Sequence, residues 1–404
     1  MQLLDVHKKR SPLDPDWVRL AADVAYSHGN PSRETYWFDV PEYVAEDLSD
    51  NANPWLACLI PLAVALDEPL ELCRPVDPVM LKNVHGLMGV WKNWYPELSI
   101  VPVLAETEPP PRNAGKTAAF FSGGIDSFFT ALRHLTPDNS VNGPNIDELI
   151  FVWGFDIPID RRDGFERARR AMQEAADALG KPLIVAATNL KITRLQRNAS
   201  YAELWHGGGL ASVGLALERR YATLYIASTY GYLNMQPWGS HPLTDPLYST
   251  SRCEVIHDDA CFNRVEKTAL VAQSDIALRT LRVCWNSKSD ANCSTCNKCM
   301  RTMATLELFG ALDRCTTFRP HAFHPERLAR VYSSDENDRL MLREVASLAT
   351  ERGRIDISEA IALGLERSEH LHKWFRLAQW LATKPYLWRW AERMHEYFAY
   401  HYVL

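Results

Sequence analysis

Two groups of residues in this chain have the types and spacing to do chemistry. The first is Ser122-Gly123-Gly124-Ile125-Asp126-Ser127. It stands between a short apolar run, Thr117 to Phe121, and a helix-like stretch from Phe128 to Leu135. A strand, a glycine turn and a helix start aim consecutive backbone N–H groups at one point. The positive end of the helix dipole adds to them, and the result is a cradle for an anion such as phosphate. Gly123 and Gly124 let the backbone approach the anion with no Cβ in the way, and Ser122 and Ser127 add hydroxyl donors. Asp126 is out of place beside phosphates unless it holds magnesium or orients an amide. Gly115-Lys116-Thr117 imitates the end of a Walker loop, but Pro110 stands where the first glycine of that motif belongs and no strand precedes it.

The second group is Cys284, Cys293, Cys296 and Cys299, spaced C-x8-C-x2-C-x2-C. Two short steps and one farther thiolate can close a tetrahedron around zinc, and a site with four thiolates and no open position is structural. An iron–sulfur cluster draws on the same ligands, and a redox C-x-x-C pair needs only two of them. The other five cysteines, Cys58, Cys73, Cys253, Cys261 and Cys315, follow no such pattern and read as small core residues.

The elements that must position these groups follow from the pattern of apolar residues. From Thr117 onward short apolar strands alternate with helical stretches: Thr117 to Phe121, Leu149 to Trp153, Leu183 to Ala187 and Thr223 to Ala227, with helices over Gly164 to Leu179 and Leu210 to Glu218. This alternation predicts an α/β fold, a doubly wound parallel sheet with ligands at the carboxyl ends of its strands. Before it, strand-like runs at Tyr36 to Val40, Leu70 to Val76 and Leu98 to Leu104 mix with helical stretches at Pro54 to Leu66 and Pro78 to Trp94, predicting an α+β unit. The proline-rich stretch from Glu106 to Gly115 reads as a linker. The last segment is helical in pattern and carries Trp374, Trp380, Trp388 and Trp390, most simply core or interface anchors.

Composition narrows the class. Apolar residues are 47% and charged residues 23%, ordinary for a globular protein of 404 residues. The net charge of -6 and the lack of a basic block argue against a large nucleic-acid footprint. No apolar run is long enough to cross a bilayer, and Met1 to Arg10 has no apolar leader core, so a cytoplasmic protein without a membrane partner is expected.

The hexapeptide resembles the signature of the PP-loop ATP pyrophosphatase superfamily, a HUP-like fold whose members cleave ATP between the α and β phosphates and adenylate a substrate. With the four cysteines behind it, the stretch from about Ala118 to Ala311 is similar to the 7-cyano-7-deazaguanine synthase branch, down to an arginine, Arg301, just after the last cysteine. The resemblance implies ATP, magnesium and a structural zinc appendage. It also implies adenylation of a carboxylate, 7-carboxy-7-deazaguanine in that family, and attack by nitrogen. Ammonia there gives an amide, which a second ATP dehydrates to a nitrile. Similar chains in bacterial antiviral operons imply a protein amine as another acceptor.

Within this resemblance further residues acquire expected roles. Lys267, and less directly Arg264, would stabilise the departing pyrophosphate; the alternative for Lys267 is a solvated helix face. Gly154 and Phe155 follow the second strand, where the backbone could receive adenine. His206, Gly207 and Gly208 stand where the family lines its substrate pocket, and the glycines suggest close approach of a ligand. Asp245, in a long loop after the fourth strand, could accept hydrogen bonds from a guanine-like edge, and Arg264 and Arg301 join this substrate set. The expected division is an α+β domain over 1–112, the ATP pyrophosphatase domain with its zinc site over 113–318, and a helical extension over 319–404. The added segments would suit a protein partner. Two other readings of the same residues stay open: a tRNA-thiolating enzyme, and a nucleotide-binding scaffold without catalysis.

Overall fold

The computed structural model describes residues 1–109, 115–135, 143–284, 291–333 and 336–382. Pro110 and Pro111 of the expected linker lie outside these residues, as do Trp388, Trp390 and the side chains of Trp374 and Trp380.

The protein is α/β, with one ten-stranded, mostly parallel sheet flanked by helices. The N-terminal strands are β1 (Gln2–Arg10), β2 (Trp17–Ala25), β3 (Arg33–Pro41), β4 (Leu70–Leu72) and β5 (Val103–Leu104). They are followed by β6 (Lys116–Phe120), β7 (Glu148–Trp153), β8 (Leu183–Thr188), β9 (Tyr221–Ala227) and β10 (Glu254–Asp258). The order across the sheet is β10-β9-β6-β7-β8-β3-β2-β1-β4-β5. Strands β6 to β10 pair in parallel, and β8 is buried at every residue, as a strand covered on both faces must be. Counting from β6, their order is 3-2-1-4-5, so the winding reverses between β6 and β9. In open sheets of this kind the crevice for a ligand forms outside the carboxyl ends at that reversal.

The N-terminal segment extends this sheet. Strand β3 pairs antiparallel with β8 through Phe38 and Asp39, and the helix Asn53–Leu66 packs on the helix His206–Leu215. Buried Glu218 joins the two segments by accepting hydrogen bonds from Ser49, Asn51 and Asn53. Segments 1–112 and 113–318 thus both supply strands to one sheet.

Contacts divide the chain into two compact units that cut across sequence order. One holds Met1–Ser122, Thr130–Gly231 and Met235–Cys261, and therefore all ten strands. The other holds Gly123–Phe129, Tyr232–Asn234 and the chain from Phe262 onward. The core of the sheet unit includes Phe38, Trp55, Ile150, Trp205 and Tyr248. The second unit is built from the helices Arg264–Val271, Asn297–Leu308, Glu336–Glu351 and Ile355–Ala382. Among the described residues no helix is long and apolar enough to cross a membrane.

Candidate active site

Strand β6 delivers the chain to the glycine turn. Gly123 has φ +76°, a left-handed conformation that glycine adopts without steric cost. Ile125 begins the helix Ile125–Arg133, with Asp126 in its first turn. Phe128 N–H donates to Gly124 O at 3.0 Å, and the Ser127 hydroxyl donates to the same oxygen at 3.1 Å. The Arg282 N–H donates to Gly123 O at 2.8 Å, tying the turn to the segment that leads into the cysteines.

Asp126 has cationic partners. Arg264 Nη2 lies 2.9 Å from Asp126 Oδ2, and Lys267 Nζ lies 3.9 Å from Oδ1. Both bases come from one helix, Arg264–Val271, whose start is fixed by a capping box. Asn263 accepts from the Glu266 N–H, and the Glu266 carboxylate accepts from the Asn263 N–H. The three-residue spacing puts Arg264 and Lys267 on neighbouring positions of one face. Lys267 is 1% exposed, which removes the solvated-face alternative. With two cations on one carboxylate, the local charge remains positive. Asp126 Oδ1 is buried and lacks a hydrogen-bond partner, an acceptor that a magnesium ion or its water shell would satisfy.

The four cysteines are grouped so that they could hold a metal ion. Their sulfurs lie within 4.8 Å of one another, with Cys284 to Cys296 and Cys293 to Cys299 both at 3.8 Å. A tetrahedron with zinc–sulfur bonds of about 2.3 Å has edges of about 3.8 Å, so the spacing fits a zinc ion. A disulfide would require about 2.0 Å. Cys293 Sγ accepts backbone N–H bonds from Thr295 and Cys296, the pattern that supports a thiolate. Asn292 fastens the first cysteine to the other three. Its Oδ1 accepts from the N–H groups of Val283 and Cys284, while its Nδ2 donates to Leu281 O.

The expected substrate residues fall into different roles. Arg301 is 4% exposed and paired with Asp338 at 2.9 Å, and Asn297 donates to the same carboxylate. The pair holds the cysteine-bearing helix to the helix Glu336–Glu351, which gives Arg301 Nη1 a structural partner. Gly154 has φ +107°, and a Cβ there would lie 2.0 Å from Thr188 O. Its N–H donates to Ile157 O, and Phe155 is buried near Tyr201 and Trp205. The Gly154-Phe155 pair therefore closes a turn and fills core, and its backbone N–H at Gly154 is already taken.

Gly207 and Gly208 are small for the protein's own sake. A Cβ on Gly207 would stand 2.1 Å from Asp245 Oδ1, and one on Gly208 would stand 2.6 Å from the Tyr248 hydroxyl and 2.8 Å from Ala57 O. The space is filled by side chains and backbone, not left for a ligand. Asp245 is wholly buried and has three polar contacts. Ser240 O–H donates to Oδ2 at 2.7 Å, the His241 N–H donates to Oδ1 at 3.2 Å, and His257 Nδ1 lies 2.7 Å from Oδ2. Asp245 is thus engaged by three groups of its own unit. His206 starts its helix beside the Tyr201 ring at 4.7 Å. Burial lowers its pKa to about 4, against the opposing pull of Asp245 and Asp156. His241 is also lowered to about 4, first by burial and then by His257, with Asp245 opposing.

Comparisons with protein-family models, curated proteins and solved structures give no match for this chain.

Proposed function

We propose that this protein is an ATP-dependent carbon–nitrogen ligase of the PP-loop type, with the fold of that superfamily and the zinc appendage of its deazaguanine-synthase branch. It adenylates a carboxylate, releases pyrophosphate and passes the acyl group to nitrogen. The observation that carries the reading is the Ser122–Ser127 turn. It leaves β6 at the point where the parallel order reverses, and its aspartate is flanked by buried Lys267 and by Arg264. The resemblance of hexapeptide and cysteines names the carboxylate as 7-carboxy-7-deazaguanine, with ammonia or a protein amine as acceptor.

Each residue has a task that its chemistry suits. The N–H groups after Gly123 and Gly124, with the hydroxyl of Ser122, hold phosphate oxygens at the helix start, while Ser127 braces the turn through Gly124 O. Lys267 and Arg264 offset the charge that grows on pyrophosphate as the α–β bond breaks, and burial makes a point charge more effective there than in water. Asp126 fixes both cations and offers Oδ1 to magnesium, which supplies further neutralisation of the phosphates. The four cysteines hold zinc as a structural clamp on the segment that begins at Arg282.

Asp126→Asn tests the loop. AMP formation should fall at least about 100-fold, the scale of losing one preorganised electrostatic group, while zinc content stays at the parental level. Parental turnover in this variant would remove the loop from the mechanism.

A further inference from the structure

Within the sheet unit, the stretch from Thr130 to His134 and the end of β10 bring together a second set of ligand-type side chains: His134, Asp258 and Asp259. Each offers a ring nitrogen or a carboxylate oxygen, and these three atoms lie within 4.8 Å of one another. Local structure accounts for the meeting. The His134 N–H donates to Thr130 O, so the two residues are one helical turn apart and share a face. Both reach Asp258: the Thr130 hydroxyl donates to Oδ2 at 2.8 Å, and His134 Nε2 lies 3.1 Å from Oδ1. Successive strand residues point to opposite faces, so Asp259 would turn away from Asp258 if β10 ran on. Instead Asp259 takes φ +65°, a left-handed conformation, and its carboxylate returns to the same segment, where Arg133 pairs with Oδ1.

His134 and Asp258 by themselves would make an ordinary hydrogen bond. The remaining polar atoms point further. His134 is 1% exposed and each aspartate 7%, yet Asp259 Oδ2 and His134 Nδ1 are both buried without a hydrogen-bond partner. Buried polar atoms are almost always satisfied, and a cation satisfies a carboxylate oxygen and an imidazole at once. The spacing suits one. Adjacent ligands of an octahedral ion, bonded at about 2.0–2.2 Å, stand about 2.8–3.1 Å apart, and Nε2 to Oδ1 is 3.1 Å. One imidazole with two carboxylates is a nitrogen–oxygen set, harder than four thiolates, so it selects a different metal from the cysteine group. Thr130 supplies the outer hydrogen bond that orients a ligating carboxylate.

We propose that His134, Asp258 and Asp259 hold a divalent cation of the manganese type, which pins the end of β10 to His134. The ion replaces the proton between His134 Nε2 and Asp258 Oδ1, and that proton moves to Nδ1. Asp259 gives Oδ2 to the ion and keeps Oδ1 for Arg133, and water completes the shell. The role is structural and independent of the ligase reading. Every residue of the site belongs to one unit, and none is among those assigned to ATP or zinc.

The experiment titrates manganese chloride into the full chain, prepared with zinc and without nucleotide, and follows the free-ion signal by electron paramagnetic resonance. One manganese per chain should bind at submillimolar concentration. Thr130→Val should weaken binding at least about tenfold, the scale of losing an outer hydrogen bond to a ligand. Asp259→Asn and His134→Gln should weaken it more. Asp126→Asn should leave it unchanged, because the acceptor in the glycine turn is a different site. Manganese should raise the Tm of the parent and leave that of Asp259→Asn where it was. A further reading needs no variant and so does not depend on how well one folds. Pulsed resonance of the manganese-loaded parent should show coupling to one imidazole nitrogen, which neither the Ser122–Ser127 turn nor the four cysteines contain. No binding below millimolar manganese, binding without nitrogen coupling, or binding lost in Asp126→Asn would overturn the proposal.

Discussion

Replacing Gly207 by alanine is the sharpest perturbation the sheet unit offers. The added carbon would lie 2.1 Å from Asp245 Oδ1, 3.0 Å from its Cγ and 3.0 Å from Gly239 O. A comfortable contact is about 3.5 Å, so the carboxylate must retreat by roughly 1 Å. It has no slack to do so, because Ser240 and His257 hold it at 2.7 Å and the His241 N–H at 3.2 Å. Losing one hydrogen bond to a charged group costs about 1.5–3 kcal/mol, and overpacking adds about 1–3 kcal/mol. A total of about 3 kcal/mol lowers Tm by roughly 6–12 °C for a unit of this size. Gly86 is the control. It lies in the helix Pro78–Trp94, and a Cβ there meets nothing within 4 Å. Gly86→Ala should therefore raise stability by about 1 kcal/mol through helix propensity alone. Thermal unfolding followed by circular dichroism compares the two. A Gly207→Ala protein that melts within about 2 °C of the parent would refute the placement of Asp245, and with it the orientation of His257.

Three further outcomes follow from the same geometry. His206 and His241 are both held at about 4 in the folded protein, while the unfolded chain titrates near 6.5. The unfolded state therefore binds protons that the folded state refuses, so their contribution is complete above pH 6.5 and is lost as pH falls toward 4. The loss is roughly 3 kcal/mol for the more deeply set His206 and smaller for His241, whose charge is partly screened by solvent. Urea midpoints at pH 7 and pH 4.5 measure it, and a His206→Asn, His241→Asn protein with the parental pH dependence would contradict it. The cysteine group should hold one zinc per chain by elemental analysis. Cys296→Ser should lose the metal while Cys73→Ser keeps it, and full zinc in Cys296→Ser would rule out the four-thiolate site. Arg301→Met should leave the adenylation rate within about threefold and lower stability by about 3 kcal/mol, since it removes the cation paired with the buried Asp338 carboxylate; a selective rise in KM for the carboxylate would return Arg301 to the substrate.

How much of this was legible in the sequence depends on whether the signal is local. The glycine turn is local, a strand, six residues and a helix, and its strand and helix form where the sequence puts them. The cysteines are local too, and their spacing alone anticipates the 3.8 Å edges. Strand β1 was missed because its pairing with β2 slips between Leu3 and Asp5, which breaks the two-residue alternation that marks a strand. Strand β10 was missed because Glu254–Asp258 is short and charged at both ends, with Val255 its one buried apolar residue. The histidine-glycine run reads as room for a ligand. A glycine's missing Cβ looks the same in sequence whether a ligand or Asp245, Tyr248 and Ala57 fills the space. The Asp245–His257 pair had no local signal at all, since its members meet only after β10 forms beside β9.

The most direct test of the account is the nucleotide product. The full-length protein is incubated with magnesium, ATP and 7-carboxy-7-deazaguanine, with ammonia as acceptor, and the mixture is read by mass spectrometry. The account predicts AMP and pyrophosphate in equal amounts, dependent on the acid, together with the amide or nitrile of the deazaguanine. ADP in place of AMP, or AMP release indifferent to the acid, would contradict it.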